Sequence, residues 1–304
     1  MPKLVAPKPS AKADPKTHIP IALAFIAALG LTTFAQGRGE APGRAGGPPA
    51  SARAIAPFDP TGYWVAIISE DWRWRMVTPA KGDVVSIPLS PEGLRVAEAW
   101  DPAKDEAAGE QCKAYGAPGL MRGPTRLHIT WQDDNTLKIE SDYGTQTRLL
   151  RFTGAGGATG ATGASGASRE GGASGASRAG GGSGASGAAR TAGARTWQGV
   201  TTAQWTMAAG GGRGRGGARH GSIKSITSQL RPGYLRKNGV PYSDRAVFTE
   251  YWDLHTEANG DQYLVDTNLI EDPVYLQTPW ITALHFKKEP DGSKWDPTPC
   301  DARF

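Results

Sequence analysis

The stretch from Arg245 to Lys288, RAVFTEYWDLHTEANGDQYLVDTNLIEDPVYLQTPWITALHFKK, constrains this chain more than any other. Ala246 to His255 is dense in β-branched and aromatic residues, and Glu257-Ala258-Asn259-Gly260-Asp261 supplies residues that tolerate positive φ. That pattern reads as a strand and a hairpin turn. Gln262 to Ile270 then alternates, with Tyr263, Val265, Thr267 and Leu269 on one face and Gln262, Asp266 and Asn268 on the other, until Glu271-Asp272-Pro273 stops it. Trp280, Thr282, Leu284 and Phe286 share a face of a third strand. Three long neighbouring strands of this kind require a sheet that is covered or closed upon itself.

Two parts of the chain carry too little apolar bulk to join that sheet's core. Lys3, Lys8, Lys12 and Lys16 precede an apolar run from Ile19 to Leu31, and Thr33-Phe34-Ala35 offers small residues at a cleavage spacing. Residues 1–35 therefore read as an export signal; the run is short of the roughly 20 residues that cross a bilayer. No stable membrane span is expected after cleavage, and the mature protein is expected in the periplasm or outside the cell. Residues 36–56 are Gly, Ala, Pro and Arg with almost no large side chain, a disordered tether.

The second part, residues 153–196, is nearly all Gly, Ala, Ser and Thr. Taking every third position from 154 to 193, eleven of fourteen are Gly and the exceptions are Arg169, Arg178 and Arg190. Collagen has the same period, but Arg cannot occupy its axis, and the tract holds no Pro. A flexible low-complexity insertion is the expectation, with a second one, GGGRGRGGARHG, from Gly210 to Gly221. The latter resembles an RNA-binding RGG segment, so the location of charge matters. The formal charge is +5. Residues 1–35 hold four Lys and one Asp, residues 36–56 three Arg and one Glu, and residues 153–221 seven Arg and one Glu. Without them 20 basic residues face 26 acidic ones, a balance of −6. The foldable part is acidic, and no nucleic-acid partner is expected.

Between these segments the pattern is β-rich. Trp64 to Ile68 reads as a strand, and Trp72-Arg73-Trp74-Arg75-Met76 alternates, placing two Trp and a Met opposite two Arg. Either these Trp are core with solvated Arg, or they form a ligand wall with Arg beside an anion. Ser90-Pro91-Glu92 and Asp101-Pro102 each supply an N-cap followed by Pro, predicting two short helices over one end of the sheet. The loop CKAYGAPGLMRGP precedes a meander with turns at Asp133-Asp134-Asn135 and Asp142-Tyr143-Gly144.

Chemistry is sparse. Two Cys in an exported chain pair by default, joining Cys112 to Cys300. No zinc, phosphate-loop or serine-elbow spacing occurs, so no metal, cofactor or catalytic residue is assigned. His128, His255 and His285 lie on predicted strands and could converge in a barrel. Glu250 shares the apolar face of Phe248, Trp252 and Leu254, so it requires a partner or a function; an exposed edge or an ion pair with an Arg such as Arg148 would supply one.

Some residues carry a resemblance. Thr61-Gly62-Tyr63-Trp64 looks like the Gly-x-Trp that opens lipocalin-type and avidin-type barrels. The series Cys112 to Met121, Trp197-Gln198-Gly199 leading to Trp205, and Glu271-Asp272-Pro273-Val274-Tyr275 with Thr278-Pro279-Trp280 resembles a widespread family of exported bacterial proteins of unassigned function. The match covers residues 57–152 and 197–300. Where that family reads Gly-Arg-Trp-Glu-Gly-Asp-Thr-Leu, this chain has Ala203-Gln204-Trp205-Thr206-Met207, so nothing tied to that acidic turn carries over. The resemblance implies an exported, lipocalin-like β fold.

The resulting expectation is one mainly β domain, an antiparallel meander barrel or sandwich with two short helices and long Gly-rich insertions, its halves at residues 57–152 and 197–300 and a tail at 301–304. Its function would be binding a small, partly apolar ligand, with Trp72, Trp74 and Trp252 as walls and Arg75 or Glu250 as polar anchor, or a non-catalytic envelope role. Two alternatives are an enzyme using Glu250 with His255 or His285 as acid and base, and a surface protein acting through its Gly-rich loops.

Overall fold

In a computed structural model of the chain, residues 50–153, 194–207 and 220–303 are described. The proposed signal, most of the tether, residues 154–193 and the RGG-like segment lie outside them.

Nine strands close a barrel. In chain order the elements are α1 (Ala52–Ile55), β1 (Gly62–Ile67), α2 (Trp72–Arg75), α3 (Pro91–Glu98), α4 (Pro102–Ala107), a 3-10 turn (Lys113–Tyr115), α5 (Ala117–Leu120), β2 (Arg126–Asp133), β3 (Thr136–Ser141), β4 (Gln146–Phe152), β5 (Val200–Met207), β6 (Gly221–Ser228), β7 (Gly233–Arg236), β8 (Val240–Tyr242), β9 (Val247–Thr256), β10 (Gln262–Glu271) and β11 (Trp280–Glu289). The ring runs β1-β11-β10-β9-β6-β5-β4-β3-β2 and back to β1, while β7 and β8 form a separate hairpin. Both expected half-domains therefore build one barrel.

Strands can alternate in direction around a closed ring only if their number is even. With nine, at least one junction must be parallel, and here it is β4 with β5, where Leu150, Arg151 and Phe152 face Thr201, Thr202 and Ala203. The other eight junctions are antiparallel. A parallel pair needs a connection of a dozen or more residues. The chain between Phe152 and Val200, low-complexity tract included, is that connection. A continuous antiparallel meander is thus corrected at this one place.

Two further expectations change. Ser51 caps α1, accepting from the Ala54 N–H, and fully buried Ala52 bonds to Asn135 Oδ1 at 2.8 Å, so order begins before Pro57. The Trp205 indole closes the contact on the Ala52 carbonyl. The Cys112 loop is not a bare loop either: its 3-10 turn and α5 bury Tyr115, Ala117, Leu120 and Met121. Gly119 is required there, because a Cβ would lie 2.5 Å from the carbonyls of Ala114 and Tyr234. Helices α3 and α4 start as predicted, on Ser90 and Asp101 caps.

The disulfide Cys112–Cys300 is present, with Cα atoms 5.1 Å apart, and pins the tail beside Gly144. The Glu271-Asp272-Pro273-Val274-Tyr275 motif is a clasp. Asp272 accepts from Ser243 N–H and Oγ–H and from the N–H groups of Val274 and Tyr275. The Val274 and Tyr275 carbonyls in turn receive Ser90 Oγ–H and N–H, each at 2.8 Å, fixing the start of α3.

Inside the barrel two apolar clusters are separated by a polar belt. Along β9 the inward residues run Phe248, Glu250, Trp252; along β10 they run Ile270, Asn268, Asp266, Leu264; along β11, Trp280, Thr282, Leu284. Trp252, Leu264 and Leu284 pack with Trp64, Leu127 and Phe286, whereas Phe248, Ile270 and Trp280 pack with Leu89, Ala97 and Tyr242. Of the two faces of β10, the one bearing Asp266 and Asn268 turns inward.

Candidate functional site

Glu250 is fully buried and sits in the belt, and its partner is Arg148. The guanidinium donates to both carboxylate oxygens, at 2.8 and 2.6 Å, and Ser225 Oγ adds a third bond at 2.9 Å. Such a bidentate pair is the geometry in which two buried charges best offset their desolvation. Burial opposes the Arg148 charge, but the attraction and hydrogen bonds of Glu250 outweigh it and hold the arginine above its usual pKa. Among the described residues nearby Asp266 forms no ion pair of its own. Burial, then repulsion from Glu250, pushes its carboxyl well above the usual carboxylate range, against Arg148 and the Asn268 amide bond at 2.7 Å. A carboxyl so placed is a neutral hydrogen-bonding group.

The histidines do not join this belt. His255 is exposed near the end of β9, and His285 alternates with the inward Leu284 and Phe286, 3.4 Å from Glu70. His128 stacks on Tyr63 at 4.2 Å. Glu250 and the two proposed acid–base histidines therefore lie on opposite faces of the barrel wall, which removes the acid–base enzyme. No group of three or more His, Cys, Asp and Glu among the described residues is placed to hold a metal ion.

The residues expected to form one ligand wall separate into two places. Trp252 and Glu250 are packed inside the barrel. Trp72, Trp74 and Arg75 lie on α2, a helical turn where a strand was expected; Trp72 is 64% exposed, while Arg75 is 7% exposed. Four alternating residues fit a single helical turn as well as a strand, because too few repeats exist to separate the two periods.

Around Arg75 the fold assembles a cleft of about 320 Å³ at the barrel mouth, lined by Glu70, Asp71, Arg75, Ser86, Arg122 and the start of β11 from Trp280 to Leu284. A second, contiguous recess shares Arg75 and Arg122 and adds Trp74, Arg236 and Lys237. The Arg122 and Arg236 guanidiniums sit over the Trp280 ring, 4.5 and 6.0 Å from its centroid, and Arg236 also lies 4.8 Å from Trp74. Arg122 and Arg236 are each 4% exposed.

Acceptors are few for so much buried charge. Arg122 bonds to Asp71 at 2.8 Å. Arg75 donates only to carbonyls, those of Arg122 at 2.8 Å and Glu70 at 3.4 Å, and its Nη2 has no partner. Arg236 reaches the Ser86 hydroxyl at 3.0 Å, leaving Nε and Nη1 unpartnered. Burial, then repulsion from Arg122, lowers both Arg75 and Arg236 to about 10, opposed at Arg75 by Glu70 and Asp71 and at Arg236 by Asp71 and Asp83. Burial alone brings Lys237 to about 8, opposed by Asp301. Asp71 (φ 52°) and Ser86 (φ 68°), both lining the cleft, hold left-handed backbone that non-glycine residues rarely adopt. Such strain collects where a site is held in shape by its surroundings.

Arg122, Arg236, Ser86 and Trp280 were not singled out from the sequence as site residues. Each comes from a different segment, and only tertiary packing brings them together.

No protein-family model, curated protein or solved structure matches this chain.

Proposed function

We propose that this protein is an exported, non-catalytic barrel that binds a small, partly apolar ligand, and that the ligand enters the cleft at the barrel mouth rather than the barrel interior. The observation that carries this reading is the cleft itself, where Arg75 and Arg122 and the Trp280–Leu284 stretch of β11 line about 320 Å³. That volume falls within the range of small-molecule sites, and a few fixed polar groups in an apolar wall are what such sites use for orientation. The interior is an unpromising host, since Trp64, Trp252, Phe248, Phe286 and the Arg148–Glu250 pair fill it. Export is supported by the Lys-flanked apolar run at residues 3–31 and by the disulfide, which persists in oxidising compartments. Among the described residues no helix is long and apolar enough to cross a membrane.

Native mass spectrometry of the exported protein tests the reading. A discrete adduct, lost on denaturation and absent from an Arg75→Gln/Arg122→Gln protein, is expected. A bare native protein that also leaves Trp fluorescence unchanged across a library of small amphiphiles would reject it.

A further inference from the structure

We propose that the ligand of the mouth cleft is an amphiphilic anion, a phosphate-type headgroup clasped by Arg75, Arg122 and Arg236 with an apolar chain laid over the surrounding rim. This rests on the binding-module reading and names its ligand class.

The head follows from charge. Three guanidiniums, each at least nine-tenths buried, line the cleft and its recess: Arg122 and Arg236 lie over the Trp280 ring, Arg236 reaches the Ser86 hydroxyl, and Arg75 and Arg122 share the cleft with the carboxylates Glu70 and Asp71, of which Asp71 bonds to Arg122. Set against both carboxylates, the three arginines leave a balance of one positive charge. Buried N–H donors are nearly always satisfied, yet Arg75 Nη2 and Arg236 Nε and Nη1 have no acceptor. A planar guanidinium presents paired donors at the spacing of phosphate oxygens, and three of them can surround a tetrahedral anion.

The chain follows from the rim. Among the described residues nine large hydrophobic side chains are exposed; of these Ile281 lines the cleft, Val77 lines the recess, and Trp72, Met76 and Val85 are the chain neighbours of the lining residues Asp71, Arg75 and Ser86. Trp72, Val77, Val85 and Ile281 are 60 to 65% exposed. Exposed apolar side chains are ordinary when scattered, but grouped around buried cations they match a molecule with an anionic end and an apolar one.

The test titrates the intact exported protein, by Trp fluorescence and calorimetry, with n-decyl phosphate below its micelle concentration, inorganic phosphate and 1-decanol. Decyl phosphate should bind at least about tenfold more tightly than either half-molecule, with a change in emission from Trp74 and Trp280 beside the arginines. Arg236→Gln should weaken decyl phosphate at least about tenfold and leave decanol unchanged, the loss expected of a charge-assisted contact. Ile281→Ser, at a position 65% exposed, should leave the urea midpoint close to that of the natural protein and bring decyl phosphate toward the affinity of inorganic phosphate. Equal binding of decanol and decyl phosphate, or arginine-independent binding, overturns the proposal. If a native adduct is present and decyl phosphate does not displace it, the ligand class is wrong while the binding module stands; if there is neither adduct nor binding of any probe, both fail. Vesicles of phosphatidylcholine with and without phosphatidic acid separate the sources. Arg236-dependent retention on phosphatidic acid vesicles supports the headgroup chemistry and places it in a membrane, and binding of monomers alone supports a free amphiphile.

Discussion

Arg148 and Arg236 are both almost wholly buried, one inside the barrel and one on the hairpin beside it, and their surroundings make them opposites. Arg148 meets a carboxylate face to face, and its charge is stabilised there in spite of burial. Arg236 has a hydroxyl, two indole rings and a like-charged neighbour, and its pKa falls to about 10. The barrel centre has its buried arginine charge paired without any ligand, although Arg148 Nε, Trp252 Nε1 and Asp266 Oδ1 have no hydrogen-bond partner among the described residues. The mouth leaves guanidinium charge unpaired, and a buried charge without a counter-charge is the physical mark of a place that receives something.

Substitutions at the two places should therefore differ in sign as well as size. Glu250→Ala strands Arg148 in the interior and should cost about 3–5 kcal/mol in urea unfolding. Adding Arg148→Met should recover much of that loss, because the stranded charge is gone. A double substitution as damaging as the single would show that the pair's shape, not its charge, matters.

Asp266 gives the next effect, and it depends on pH. Its folded pKa is raised, so the stability of the neutral form is fully present below the unfolded value of about 3.9 and is lost as pH rises through the folded value. Asp266→Asn keeps the neutral geometry and has no proton to lose. It should match the natural protein near pH 4 and exceed it near pH 8, with a gap growing by at most about 1.4 kcal/mol per pH unit in that window. Urea midpoints that run parallel across the range would place a neutralising partner beside Asp266.

The smallest effect is the most diagnostic. Arg236→Met in the ligand-free protein should change stability by no more than about 1 kcal/mol and in the stabilising direction, since removing an incompletely bonded buried cation relieves desolvation. A loss above about 2 kcal/mol would make Arg236 a structural residue and dissolve the contrast with Arg148.

The centre was far more legible than the mouth. Strand alternation placed Glu250 on the apolar face of β9, and a carboxylate there called for a cation such as Arg148. The β11 face of Trp280, Leu284 and Phe286 and the caps at Ser90 and Asp101 were equally local signals. For β10, alternation identified two faces, but only closure of the barrel decides that Asp266 and Asn268 turn inward. The mouth has no such grammar. Arg75 could be named because it neighbours two Trp, yet its helical turn was too short for the period to be read. Arg122 sits in a segment without periodicity, and Arg236 on a four-residue strand outside the barrel. The parallel junction of β4 with β5 was hidden too, because residue patterns identify strands and not their neighbours.

The pairing of β1 with β11 also has a consequence in time. The first barrel strand, Gly62–Ile67, finds its second neighbour in Trp280–Glu289, so the ring cannot shut until almost the whole chain has been synthesised. Until then the β1 backbone carries an open edge, able to pair with other chains. A polypeptide of this design gains by being held unfolded until its last strand has been made, and a route that threads chains across a membrane before they fold imposes that delay.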